Sequence, residues 1–243
     1  VREVSSSMSG TNYQYNSTPV QVTVSASNTS SAPATGTVSN QPQTGYLRAR
    51  KTSANTTITN GNSNYSVSGI VFNVYTNQAC TTQARNAAGQ TFTLTSGSDG
   101  YTSAVQMPLG TYYIRETQTS ANAHGWIYNS TPVAVTVTAN NTSSAPATGT
   151  VSNQPQTGYL RVQKASGNTN VTNNNSNYSF TGIEFYVYTD QTCTTRVRNA
   201  AGNTFTLTAT ASGLTNTVEM PLGTYYVREV SSSMSGTNYQ YNS

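Results

Sequence analysis

The sequence repeats itself at a fixed interval of 113 residues, and that interval limits the fold more than any single motif does. GYLRARK at 45–51 returns as GYLRVQK at 158–164, and MPLGTYYIRE at 107–116 returns as MPLGTYYVRE at 220–229. NTSSAPATGTVSNQPQTGYL occurs without change at 28–47 and at 141–160. A period this long is one whole domain per repeat, which excludes β-helices and other short-repeat solenoids. Residues 1–17 are identical to 227–243, so the sequence opens inside one repeat and closes inside another. The expected organisation is 1–42 as the C-terminal part of a preceding repeat, 43–155 as a complete domain, and 156–243 as the N-terminal part of a following one. A longer, highly repetitive native protein is the corresponding expectation.

Within 43–155 the apolar residues come in short alternating runs separated by polar turns, the pattern of half-buried strands. Strands are expected at 45–51, 69–76, 91–95, 103–107, 111–117, 132–138 and 147–153. Asn60-Gly61, Ser98-Asp99-Gly100 and Leu109-Gly110 supply turns between them. No stretch has helical periodicity. Seven strands in a domain of this size imply an all-β fold, a two-sheet, immunoglobulin-like or prealbumin-like β-sandwich of about 113 residues repeated in tandem.

Composition narrows the function. Only 7% of residues are charged, against about 25% in ordinary soluble domains. The net charge of +4 is spread singly, apart from a short cluster at Arg48, Arg50 and Lys51. A nucleic-acid binder would carry a dense basic face or a recognisable motif, and neither is present. No apolar run reaches membrane-spanning length.

Alternation also assigns side chains to faces. Lys164 shares parity with Leu160 and Val162, Glu116 with Tyr112 and Ile114, and Asn153 with Val151. Each repeat thus sets one Lys, one Glu and one Asn at the inward end of an apolar stripe. Burial costs a charged ammonium or carboxylate several kcal/mol unless it is paired or neutralised, and the two together can exchange a proton and both become neutral. A neutral amine could then attack the Asn carboxamide carbon, expelling ammonia and leaving an isopeptide crosslink, with Glu as proton shuttle and oxyanion stabiliser. The other reading of the same parity is a structural Lys–Glu ion pair, with Asn satisfying a turn.

GYLRVQK, then GIEFYVYTDQTC, then LGTYYVRE, then TVSNQP resembles, in that order and over the whole repeat, the collagen-adhesin B-type domain, also called the prealbumin-like or SpaA-type domain. Such domains build the stalks of Gram-positive surface adhesins and the shafts of pili. The resemblance implies an autocatalytic Lys–Asn isopeptide bond promoted by a Glu. Carried over residue by residue, the complete domain holds Lys51, Glu116 and Asn153. Lys164 and Glu229 belong to the following repeat, and Glu3 and Asn40 to the preceding one. The implied protein is an extracellular, cell-surface fibre, stalk or pilus-like structure of a Gram-positive bacterium, with adjacent copies of the repeat as partners. It performs one self-crosslinking event per domain and is not a turnover enzyme.

The remaining features carry less. Cys80 and Cys193 occur once per repeat, as free thiols or as partners in an inter-domain or inter-chain disulfide. No CxxC or His cluster suggests a metal, and no cofactor is implied. His124, the only histidine, reads with Trp126 as decoration of a loop tip. Asn-x-Ser/Thr sequons at Asn16, Asn28, Asn129 and Asn141 follow from a composition rich in those residues. The Thr91, Thr93, Thr95 pattern reads as an exposed strand face. A rival function is a ligand-binding adhesin module that grips a host glycan or host protein through loops such as 118–129.

Overall fold

Residues alternating between apolar and polar give the first strand, β1 (Thr44–Ser53), whose burial alternates strictly from Gly45 to Lys51 in the computed structural model, which describes residues 1–241. Six more strands follow: β2 (Val71–Tyr75), β3 (Leu94–Thr95), β4 (Val105–Pro108), β5 (Gly110–Glu116), β6 (Val133–Val137) and β7 (Ala147–Asn153). They form a three-stranded sheet in the order β4-β1-β7 and a four-stranded sheet in the order β3-β2-β5-β6. All the registered pairings are antiparallel, with Leu47 opposite Val105, Phe72 opposite Glu116 and Tyr112 opposite Val135. This is the all-β sandwich. Leu47, Phe72, Val74, Met107, Ile114 and Val151 fill its core.

Gly149 fixes how closely β7 lies against β5 and β6. A Cβ at that position would stand 2.7 Å from Ile114 Cδ1 and 2.7 Å from Val135 Cγ2, so only glycine admits the contact. Gly100 does a similar service beside β1. It adopts φ +80°, its carbonyl accepts from Lys51 N at 2.8 Å, and a Cβ there would meet Lys51 O at 2.4 Å.

The chain divides into two compact units. The first comprises residues 1–52, 67–121 and 128–152, and the second comprises 53–66, 122–127 and 153 onward. The second unit holds β8 (Thr157–Leu160), β9 (Glu184–Tyr188), β10 (Leu207–Thr208), β11 (Val218–Pro221) and β12 (Tyr226–Glu229), paired as β11-β8 and β10-β9-β12. Ile183, Phe185, Val187, Leu207, Ala209 and Met234 form its core.

Three short helices depart from the all-strand expectation: α1 (Thr56–Thr59), α2 (Gln118–Ala123) and α3 (Thr169–Thr172). None is long enough to show an amphipathic period. Local capping makes α1, where the Asn55 side chain accepts from Thr57 N. The 118–129 stretch, read above as an open loop, is α2 followed by a buried tryptophan. Trp126 is 1% exposed, not at a loop tip, and its Nε1 donates to Ser66 O at 2.7 Å. Its ring lies 5.8 Å from that of Tyr65.

Candidate functional site

Lys51, near the end of β1, and Glu116, the last residue of β5, meet inside the first unit. Their side chains are wholly buried, and Lys51 Nζ lies 3.6 Å from Glu116 Oε2. Burial pulls the Lys51 amine down from 10.5 to about 8, against the opposing attraction of the Glu116 carboxylate. Arg48 and Arg50, the other members of the basic cluster, point to the opposite face and stack on Tyr101, 4.1 and 4.7 Å from its ring centre. The cluster is therefore not a basic surface. One of its three charges is interior.

Asn153 ends β7, which flanks β1 in the three-stranded sheet, and it is 2% exposed. Its Nδ2 donates to Ile127 O at 2.8 Å. Glu116 Oε1 accepts from Asn129 N at 3.0 Å. That donor was hidden in the sequence behind a glycosylation sequon. Asn129 Oδ1 accepts from Thr131 N at 3.0 Å, an Asx turn that helps fix the local backbone where Asn129 N–H meets the carboxylate. The signal was there: Tyr-Asn-Ser-Thr-Pro recurs at 15–19, and its structure recurs too. Asn16 N donates to Glu3 Oε2 at 3.1 Å, and Thr18 N donates to Asn16 Oδ1 at 3.0 Å.

The flanking sets have their own geometry. Asn40 Nδ2 donates to Glu3 Oε2 at 2.8 Å, partly buried. Lys164 and Glu229 form an ion pair, with 14% and 8% of their side chains exposed. Cys80 is buried and Cys193 half-buried, and the two are not bonded to each other within this chain. Each sits in a turn with positive φ, 55° and 54°. Among the described residues no cluster of His, Cys, Asp and Glu could hold a metal ion, and no helix is long and apolar enough to cross a membrane.

Residues 52–150 match the family model described as SpaA, prealbumin-like fold domain. None of the curated proteins matches the chain in sequence. Among solved structures, the Bacillus anthracis TIE protein is similar at 16% identity and a TM-score of 0.50, over 90% of this chain and 34% of that one. A streptococcal ancillary pilin is similar at 20% identity and a TM-score of 0.35, over 79% of this chain and 56% of that one. A C-terminal fragment of the pilus adhesin SpaC from Lactobacillus rhamnosus GG is similar at 15% identity and a TM-score of 0.39, over 81% and 79%. The chain thus spans about a third of the first of these proteins and just over half of the second. What the chain shares with the first of these, and with the family model, is the fold, a prealbumin-like β-sandwich.

Proposed function

We propose that this chain is a stretch of an extracellular stalk or fibre on a Gram-positive cell surface, made of tandem prealbumin-like repeats each locked by an intramolecular isopeptide bond. The observation that carries the reading is the wholly buried Lys51–Glu116 pair on facing strand ends. Burying the pair costs stability that an apolar pair of the same size would not, and a reacting amine accounts for that cost. Burial has brought the Lys51 pKa down to about 8, against about 10.4 for an ordinary lysine, so giving up the proton to the adjacent Glu116 costs that much less.

In the proposed reaction Lys51 gives a proton to Glu116 and attacks Asn153 Cγ. The Nζ–Cγ bond forms, and the carboxyl of Glu116 donates to the developing oxyanion. The proton lost from Nζ passes by way of Glu116 to the departing nitrogen, the Cγ–Nδ2 bond breaks, and ammonia leaves. Atoms and charge balance without an oxidant or cofactor. β1 and β7 are the first and last strands of the sandwich, so a bond between their ends would carry load across the domain through covalent links. It would do the work of a disulfide without an oxidising compartment.

Intact mass spectrometry tests this. The folded chain should weigh less than its sequence by one ammonia for the 51–153 pair, and a tryptic peptide should join the two strands. Glu116→Ala should restore the full mass. A wild-type chain at full sequence mass refutes the proposal.

A further inference from the structure

Both backbone polar groups of one residue, Leu222, are held by a loop far away in sequence. Within the second unit, Tyr65 Oη accepts from Leu222 N at 2.7 Å and donates to Gln156 O at 2.7 Å. Asn62 Nδ2 donates to Leu222 O at 2.9 Å and Asn64 Nδ2 to the same oxygen at 3.2 Å. Tyr65 is buried against Trp126, and burial raises its pKa, so the hydroxyl keeps its proton for Gln156. Four hydrogen bonds thus join Asn-Ser-Asn-Tyr of one repeat to the linker and the Met-Pro-Leu-Gly turn of the next.

The same loop exists once more. Asn-Ser-Asn-Tyr recurs at 175–178 in the same conformation. Asn177 N donates to Asn175 Oδ1 at 3.1 Å, as Asn64 N does to Asn62 Oδ1 at 3.0 Å. Tyr178 N donates to Asn175 O at 3.1 Å, as Tyr65 N does to Asn62 O at 3.1 Å. Tyr178 packs on Tyr239, which stands where Trp126 stands one repeat earlier, with ring centres 5.5 Å apart. Tyr178, however, is only half-buried where Tyr65 is buried. The turn shows the same contrast from the other side. Pro221, beside the gripped Leu222, is buried, whereas its counterpart Pro108 beside Leu109 is exposed.

We propose that Asn62, Asn64 and Tyr65 form an inter-repeat clamp, and that Asn175, Asn177 and Tyr178 present this clamp to the Pro-Leu-Gly turn of a further copy of the repeat. The contact is heterologous, loop to turn, so each copy offers one half of it to the next and receives the other half from the one before. It ties neighbouring copies by side-chain hydrogen bonds in addition to the covalent linker. The partner follows from the stalk reading above, but the contact does not depend on the isopeptide bond.

Two measurements on the full ¹⁵N-labelled chain test the clamp. In Tyr65→Phe the ring still packs on Trp126 but the hydroxyl is gone. The Leu222 amide should then exchange with solvent about two- to tenfold faster, the worth of one net hydrogen bond. Unlabelled chain added to about millimolar concentration, the effective concentration that a short tether supplies, should shift the Leu109 amide. Unlabelled Tyr178→Phe should not. Unchanged exchange at Leu222 overturns the clamp. No shift at Leu109, or one that survives Tyr178→Phe, overturns the docking of a further copy. Neither readout depends on the ammonia loss, so failure of the clamp and failure of the crosslink are told apart.

Discussion

Asn153→Ala removes the electrophile while leaving the Lys51–Glu116 pair in place, so it isolates the value of the crosslink. The bond would close a loop from residue 51 to residue 153, on the order of 100 residues, and on the chain-entropy model this contributes about 4–5 kcal/mol. Loss of the Asn153 Nδ2 bond to Ile127 O adds about 1 kcal/mol. A total near 5–6 kcal/mol is comparable to the whole stability of many domains, about 5–15 kcal/mol. For a domain of about 110 residues it lowers the melting temperature by roughly 20 °C or more. Trp126 is the only tryptophan and is 1% exposed, so its fluorescence follows melting. The double variant Lys51→Met/Glu116→Gln provides a second route. It removes the nucleophile and both charges at nearly constant volume, a change that is close to neutral for a buried pair, and it should lose the crosslink contribution alone. If Asn153→Ala melts within a few degrees of wild type, the argument from loop closure is wrong.

Four further outcomes follow from the same geometry. Crosslinking after rapid refolding, timed by acid quench and mass, should be nearly independent of pH just below 8 and slow about tenfold per pH unit above it, because the neutral amine beside a protonated carboxyl holds the same single proton as the ion pair, and the pair loses that proton above the Lys51 pKa of about 8. In Asn153→Ala, which cannot crosslink, the Lys51 pKa is lowered from 10.5 to about 8 on folding. The unfolded state then binds more protons in that window, and stability in urea should rise with pH between about 8 and 10.5. Asn129→Ala removes the Asx turn beside the Glu116 carboxylate; it should slow crosslinking several-fold while costing only about 1 kcal/mol in urea titration. Gly149→Ala places a methyl 2.7 Å from Ile114 and Val135, and should destabilise by about 1–3 kcal/mol by the same assay.

The period and the alternation made most of the fold legible. Strict parity along Gly45–Lys51, Tyr112–Glu116 and Gly149–Asn153 becomes strict burial, because a strand with one face on a core has no other way to lie. What parity could not show is who holds a buried polar group once it is inside. Glu116 takes a backbone N–H from Asn129 and Asn153 gives to the backbone carbonyl of Ile127, and main-chain partners leave no composition signal. Trp126 was misplaced for a related reason. It lies in a polar stretch with no alternation, and its burial comes from Tyr65 and Ser66, about 60 residues earlier.

The repeats themselves separate local from non-local causes. Ser-Ser-Ser-Met is a 3-10 turn at both 5–8 and 231–234, and the Asx turn forms at both Asn16 and Asn129. Each is closed by contacts within a few residues, so sequence identity is enough. Strands behave otherwise. Thr35–Asn40 and Thr148–Asn153 share one sequence, yet only the second is a strand, β7, beside β1. Residues 1–42 contain counterparts of β5, β6 and β7 but none of β1 or β2, the strands on which β7 and β5 pair, and no ladder forms there. The same logic shortens β8. Its four residues pair with β11 as Thr44–Leu47 pair with β4, whereas β1 runs on to Ser53 alongside β7; among the described residues no strand pairs with the other edge of β8. The Lys51 side chain is accordingly wholly buried, while the Lys164 side chain keeps 14% of its exposure. A desolvated lysine is thus a product of the completed sandwich. The chemistry proposed for it would start only after the last strand has docked, which would keep the bond from locking an unfinished domain.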